Sequence, residues 1–220
     1  MPEQLPNSIP SPLFKGIRQE DQRVMLACIG YSLRRYPKGS VIALEDESIR
    51  YIGILLSGAV DMVKEDLWGN KTTILRLRRE ELFGETFACG EDDRSLVTFL
   101  AAEDTEILFL PFHKVMHTCS RSCVFHQQLV ENMVRVIAGK NREFLRKVEI
   151  ISKKTLREKI LTYLSHQSQL QGSRYFTLPL NRAELADYLC ADRSAVSREL
   201  SAMRSEGLID FDRNLFRILA

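Results

Sequence analysis

Arg193, Ser194, Ser197 and Arg198 stand at i, i+1, i+4 and i+5 of a segment whose apolar residues Val196, Leu200 and Met203 repeat at helical spacing. On a helix these four polar side chains project together from the first two turns. Arginine carries a planar fork of donors that can meet both acceptors on one guanine edge, and a serine hydroxyl donates or accepts. Any solvated helix face carries Arg and Ser, so the spacing alone does not decide between contact and solvation. A second group is Cys119, Cys123 and His126, at i, i+4 and i+7 on one helical face. Such residues bind a metal or respond to oxidation, and they are equally at home as packing residues. The four histidines, His113, His117, His126 and His166, all follow the β-rich part of the chain. There is no His-x-His, no Ser/His/Asp arrangement and no glycine-rich phosphate loop, so the chain is not expected to be an enzyme.

The elements around the Arg/Ser face sharpen its reading. Asn181-Arg182-Ala183-Glu184 is a capping-box variant that opens a short helix with Leu185, Ala186 and Leu189 inward. That helix must stop near Cys190-Ala191, where Asp192 reads as the N-cap of a second helix over 193–206, closed by Gly207. Two short helices joined by a tight turn make a helix-turn-helix, and the first residues of its second helix meet base edges. Residues 177–180, 208–211 and 216–218 read as strands, with Asp212-Arg213-Asn214 turning between the last two. That hairpin is a β-wing, and Arg213 at its tip suits a phosphate.

Upstream, residues 153–170 read as an amphipathic helix through Leu156, Ile160, Leu161 and Leu164. Before it, a helical pattern runs for some 40 residues after Pro111. Val134, Asn141 and Val148 recur every seven positions, as do Val130, Ile137, Phe144 and Ile151. These are a and d positions of a heptad, and a lone Asn at an a position sets register in a two-stranded coil. A homodimer is therefore expected. Residues 41–43, 51–56, 59–63, 72–77, 96–100 and 107–110 read as short strands separated by turn signals such as Ser57-Gly58 and Trp68-Gly69-Asn70. Many short strands at even spacing predict an antiparallel barrel or jelly roll. Residues 13–29 read as a helix. The expected fold class is α+β, divided as 1–110 (β-barrel sensor), 111–151 (long dimerisation helix) and 152–220 (winged helix-turn-helix).

The totals are compatible. Hydrophobic residues make up 45% and charged residues 27% of the 220, ordinary for a globular chain. Residues 152–220 hold eleven Lys and Arg against eight Asp and Glu, and the remainder twenty against twenty-one, so the small basic excess sits in the C-terminal third. No apolar run approaches the roughly 18 residues of a membrane span, and the first twelve residues lack the pattern of a signal peptide. Five scattered cysteines in such a chain argue against a disulfide framework, and a cytoplasmic protein without membrane contact is expected.

Residues 182–189, 192–198 and 206–209 closely resemble the DNA-binding domain of the Crp/Fnr regulators, and the order of sensor, long helix and winged helix-turn-helix agrees. The resemblance extends over about residues 13–219. It implies a homodimer that reads an inverted-repeat operator in double-stranded DNA, with RNA polymerase as a further partner. It also places Arg193, Ser194, Ser197 and Arg198 on the family's base-reading and phosphate-contacting positions. Ser194 stands where many members carry Glu, which implies a different operator preference. In the sensor, Phe83-Gly84-Glu85 followed by Arg94-Ser95 is similar to the family's cassette for a cyclic nucleotide, where Glu takes the ribose hydroxyl and Arg and Ser hold the cyclic phosphate. Eight residues separate Glu85 from Arg94, one fewer than that cassette usually has, and three acids precede Arg94. Cyclic AMP is therefore not the expected effector, which stays unassigned. Met1 to Ala27 holds no cysteine, so the terminal iron–sulfur cluster of the oxygen-sensing members is not expected either. The competing reading is a cyclic-nucleotide-binding module acting through protein partners.

Overall fold

The computed structural model describes residues 9–117 and 124–219. It divides into two compact units, Met1–Gly139 and Lys140–Ala220, and the division falls inside a long helix rather than at either end of it. In the first unit a 3-10 turn, Pro12–Phe14, precedes α1 (Gln19–Ile29). The strands are β1 (Ser32–Tyr36), β2 (Val41–Ala43), β3 (Tyr51–Ser57), β4 (Ala59–Glu65), β5 (Lys71–Arg78), β6 (Leu82–Phe83), β7 (Thr98–Ala101) and β8 (Thr105–Pro111), with α2 (Glu85–Ala88) before β7. Two helices follow, α3 (Phe112–Met116) and α4 (Val124–Ile151).

The strands form two antiparallel four-stranded sheets, ordered β1-β8-β3-β6 and β2-β7-β4-β5. Alternation along β3 and β8 sorts their side chains between two cores. Leu55, Ile107 and Phe109 join Val60, Leu77, Phe83 and Phe99 between the sheets. Ile52, Ile54, Leu56, Leu108 and Leu110 face the other way, onto α1, Val115 of α3 and Leu129 and Met133 of α4. The space between the sheets is filled by rings: Phe83 lies 4.8 Å from Phe99 and 6.2 Å from Phe109. This packing demands Gly53. A Cβ there would sit 2.3 Å from the Phe83 ring, which is only 2% exposed. Gly53→Ala is expected to destabilise the barrel by about 3 kcal/mol, the cost of overpacking a ring that cannot retreat. Denaturant unfolding measures this, and a loss below about 1 kcal/mol would mean that Phe83 has room to yield.

The second unit contains the end of α4, then α5 (Leu156–Gln171), β9 (Tyr175–Thr177), α6 (Arg182–Tyr188), α7 (Arg193–Ser205), β10 (Ile209–Asp212) and β11 (Leu215–Ile218). Its core joins Ile150, Ile160, Tyr163 and Leu164 to Leu185, Leu189, Val196, Leu200 and Met203, with Phe176 and Phe216 from the sheet β10-β11-β9.

Several elements differ from the sequence reading. The helix expected over 13–29 is a short turn plus α1, because Gly16 takes φ +78 between them. Within α1, Val24 is 72% exposed while Met25, Leu26 and Ile29 face the core. The expected strands omit β1 and β6. The strand expected at 177–180 is β9, three residues long and ending before Pro179, which has no N–H to extend a ladder. Leu161, expected inward on α5, is 39% exposed, and Tyr163 is buried in its place.

Candidate functional site

The helix-turn-helix is held by local chemistry. Asn181 Oδ1 accepts from the backbone N–H groups of Ala183 and Glu184 at 2.9 and 3.0 Å, while the Glu184 carboxylate accepts from the Asn181 N–H at 2.9 Å. The helix α6 ends in a Schellman turn: the Ala191 N–H reaches the Ala186 carbonyl at 3.0 Å, and Cys190 holds φ +52 where glycine is usual. Asp192 occupies the N-cap position of α7 with extended backbone, but its side chain makes no capping bond, contrary to the expectation from its type. At the far end the Leu208 N–H reaches the Met203 carbonyl at 3.0 Å, and Gly207 takes φ +74.

One side of α7 is braced from behind. Arg157 on α5 donates from Nε to Glu199 at 2.6 Å and from both Nη atoms to Glu206 at 2.7 Å. Hydrogen bonding to Arg157 holds the Glu206 carboxyl below its ordinary range. At the edge of the wing, Arg204 pairs with Asp210 at 2.9 Å.

The opposite side is left open. Arg193, Ser194, Ser197, Arg198 and Arg213 are all exposed. Among the described residues no carboxylate forms an ion pair with Arg193, Arg198 or Arg213, in contrast to Arg157 and Arg204. Ser197 donates its hydroxyl to the Arg193 carbonyl at 2.9 Å, so toward any ligand it is an acceptor. Arg213 sits with Asn214 in a two-residue turn, since Asp212 pairs with Leu215. A cleft of about 580 Å³ runs between the start of α6, Arg193 and this turn.

In the sensor unit, Gly84 takes φ +87, and a Cβ there would lie 2.6 Å from the Tyr51 carbonyl, so this glycine is required by the backbone itself. Glu85 is 2% exposed and its Oε1 accepts from the Thr86 hydroxyl at 3.4 Å. Arg94 is exposed: its backbone N–H reaches Asp92 at 3.0 Å and its Nη1 donates to the Asp46 carbonyl at 3.2 Å. The neighbouring Asp93 belongs to Ser48 and Arg50, at 2.7 and 3.0 Å, and those two bonds hold its carboxyl below the ordinary range. Buried Ser95 donates its hydroxyl to the Val97 carbonyl at 2.6 Å.

On α4, Val134 (57%), Phe144 (64%) and Val148 are exposed, as are Asn141 and Ile151. Val130 is half-buried, and half-buried Ile137 packs on the core of its own barrel. Leu145, which the heptad reading omitted, is 62% exposed beside Phe144. Two polar residues of this helix are buried, His126 and Asn132, and Asn132 donates to the carbonyls of Leu13 and Lys15 at 3.0 and 2.7 Å. His126 is 3% exposed, with Nε2 donating to the Val115 carbonyl at 3.0 Å, so this nitrogen ties α4 to α3. Cys119 and Cys123 lie outside the described residues.

Comparison with known proteins agrees with this division. A model of the cyclic nucleotide-binding domain matches residues 33–122, and one of the Crp-like helix-turn-helix domain matches residues 158–220. The chain belongs to the Crp/Fnr family of DNA-binding transcription regulators. It is 29% identical over 199 residues to the cyclic AMP receptor protein of Thermus thermophilus, covering 90% of this chain and 88% of that protein. With the transcriptional activator FnrA of Stutzerimonas stutzeri it shares 29% over 128 residues, 56% of this chain and 51% of that one. The structure of FixK2 from Bradyrhizobium japonicum has the same fold, with a TM-score of 0.56 at 20% identity over 87% of this chain and 93% of that one. Among the described residues of this Crp/Fnr regulator, no helix is long and apolar enough to cross a membrane.

Proposed function

We propose that this Crp/Fnr regulator acts as a homodimer joined along α4, reading an inverted repeat with α7 and touching the DNA backbone with its wing. The observation that carries this reading is the unneutralised face made by Arg193, Arg198 and Arg213, set against the acid-paired arginines behind it. Arg193 and Arg198 offer bidentate bonds to guanine, Ser194 and Ser197 serve as smaller contacts, and Arg213 meets a phosphate. Two such helices, related by a twofold axis and about 34 Å apart, require half-sites one helical turn apart. Selection from random duplexes is expected to return an inverted repeat, and enrichment of sequences without one would count heavily against the dimeric reading. RNA polymerase is the partner this role calls for.

The sensor is proposed to respond to something other than cyclic AMP. A buried cyclic phosphate needs a fixed arginine and neutral donors. Arg94 is exposed and bonded to the Asp46 carbonyl, the Ser95 hydroxyl already donates to the Val97 carbonyl, and phenylalanine rings pack the space between the sheets. Cyclic AMP at about 100 micromolar is expected to leave melting and operator affinity unchanged, whereas a ligand at 100 times its Kd would stabilise the fold by about 2.7 kcal/mol. A melting shift that disappeared in Arg94→Ala would make the protein nucleotide-responsive.

A further inference from the structure

One arginine outside the wing is seated on the wing's aromatic rings. Arg182, the first residue of α6, places its guanidinium carbon 5.1 Å from the centre of the Phe211 ring and 4.9 Å from that of Phe216. Those rings stack on each other at 5.2 Å with 19° between their planes, and Phe176 continues the stack beyond Phe216 at 6.4 Å. From this seat Arg182 donates from Nη2 to the Arg213 carbonyl at 2.8 Å. Its Nη1 is buried.

We infer that Arg182 is the positioning residue of the wing: it locks the turn at Arg213 to the start of α6, so that the wing tip and the base-reading helix present one rigid surface to DNA. This rests on the DNA-binding reading above and goes beyond it by naming what aims the tip.

The argument is conformational. A two-residue hairpin turn that needs a positive φ ordinarily takes Gly, Asn or Asp. Here an arginine occupies φ +51, a region that opposes an L side chain. Such a conformation persists where the surroundings over-determine it. The bond to the Arg213 carbonyl and the ring stack beneath it do this. Arginine is required at position 182 because a planar guanidinium lies flat on aromatic rings while its edge donates; an ammonium on a flexible stem does neither. Arg204, 5.2 Å from the Phe211 ring and paired with Asp210, supports the same strand and does not reach the tip. Burial lowers the Arg182 pKa, yet a guanidinium stays charged.

The rival role for Arg182 is a phosphate contact of its own, and a double-variant cycle separates the two. Operator affinity is measured against salt for the full chain, Arg182→Met, Arg213→Ala and the double variant. Each single change is expected to weaken binding about tenfold and lower the salt slope by about one. If Arg182 acts through Arg213, the double variant matches the singles; additive losses, with a slope lowered by about two, overturn the inference. Arg182→Lys, which keeps the charge, is expected to behave like Arg182→Met, and near-normal binding by it also overturns the inference. Hydrogen exchange gives a readout without DNA: amides of 211–216 exchange faster in Arg182→Met while α5 stays protected, and unchanged hairpin exchange overturns the clamp. A full chain indifferent to every duplex would strike the DNA reading, while faster hairpin exchange would still support the clamp.

Discussion

Phe144→Glu is expected to turn the dimer into a monomer and to weaken operator binding by about a hundredfold or more, because two half-sites then no longer bind as one ligand. The isolated chain leaves Phe144 64% exposed, with Leu145 at 62% beside it and Val148 one turn further along α4. Contiguous apolar side chains on one helix face mark an interface. In the proposed dimer Phe144, at a d position, would meet its own symmetry mate, so one substitution would remove two rings, each contributing about 2–3 kcal/mol on burial. It also sets two carboxylates against each other in an apolar seam, which costs more than the lost packing. Because Phe144 belongs to none of the chain's own cores, folding should survive, and circular dichroism checks that. Asn141→Leu tests the same seam in the other direction: thermal stability should rise while control over oligomeric state loosens. Light scattering at micromolar concentration reads both variants. A Phe144→Glu protein that stayed dimeric would remove α4 as the dimer seam.

How much of this was legible in the residues varies with the kind of signal. The capping box at Asn181 and Glu184, the 3.6-residue period of Val196, Leu200 and Met203, and the glycine after α7 are local, and each appears where its chemistry demands. Asp192 shows the limit of reading by type, since its backbone takes the cap conformation while its side chain does not bond. Strand β1 escaped because it lies at a sheet edge, where Arg35 pairs with Glu106 at 2.8 Å and charge is tolerated. A two-residue strand such as β6 has no period to detect. The helix α5 carries a second capping box, Thr155 with Glu158, that was readable and missed. His126 shared a face with two cysteines, and nothing in its spacing announced the Val115 carbonyl that accepts its proton. Most of the heptad positions on α4 are exposed, but the repeat could not show that Ile137 already packs on its own barrel. Arg182 is the plainest case of illegibility. Its rings come from positions 211 and 216, and only the closed hairpin brings them under the guanidinium.

Arg198→Ala is expected to cost about 1–3 kcal/mol in each half-site, the worth of a bidentate base contact, and a symmetric operator counts it twice. Operator affinity should therefore fall by about 30-fold or more, with the loss confined to operators that keep the contacted base pair. Arg193→Ala should behave alike if it reads a base, and should weaken all duplexes evenly if it meets a phosphate. Both arginines are exposed and lack an acid partner among the described residues, so their removal leaves no buried charge behind and should not disturb melting. Arg157→Ala is the contrasting control. It frees Glu199 and Glu206 on the back of α7, so it should loosen the helix and lower stability as well as affinity. Ser194 offers the specificity test, because a glutamate there accepts from a cytosine amino group where a serine hydroxyl does not discriminate. Ser194→Glu should shift the selected half-site at a single base pair. A gel-shift series across single-base operator variants reads all of these, and an Arg198→Ala protein that bound every variant as the parent does would remove α7 as the reading helix.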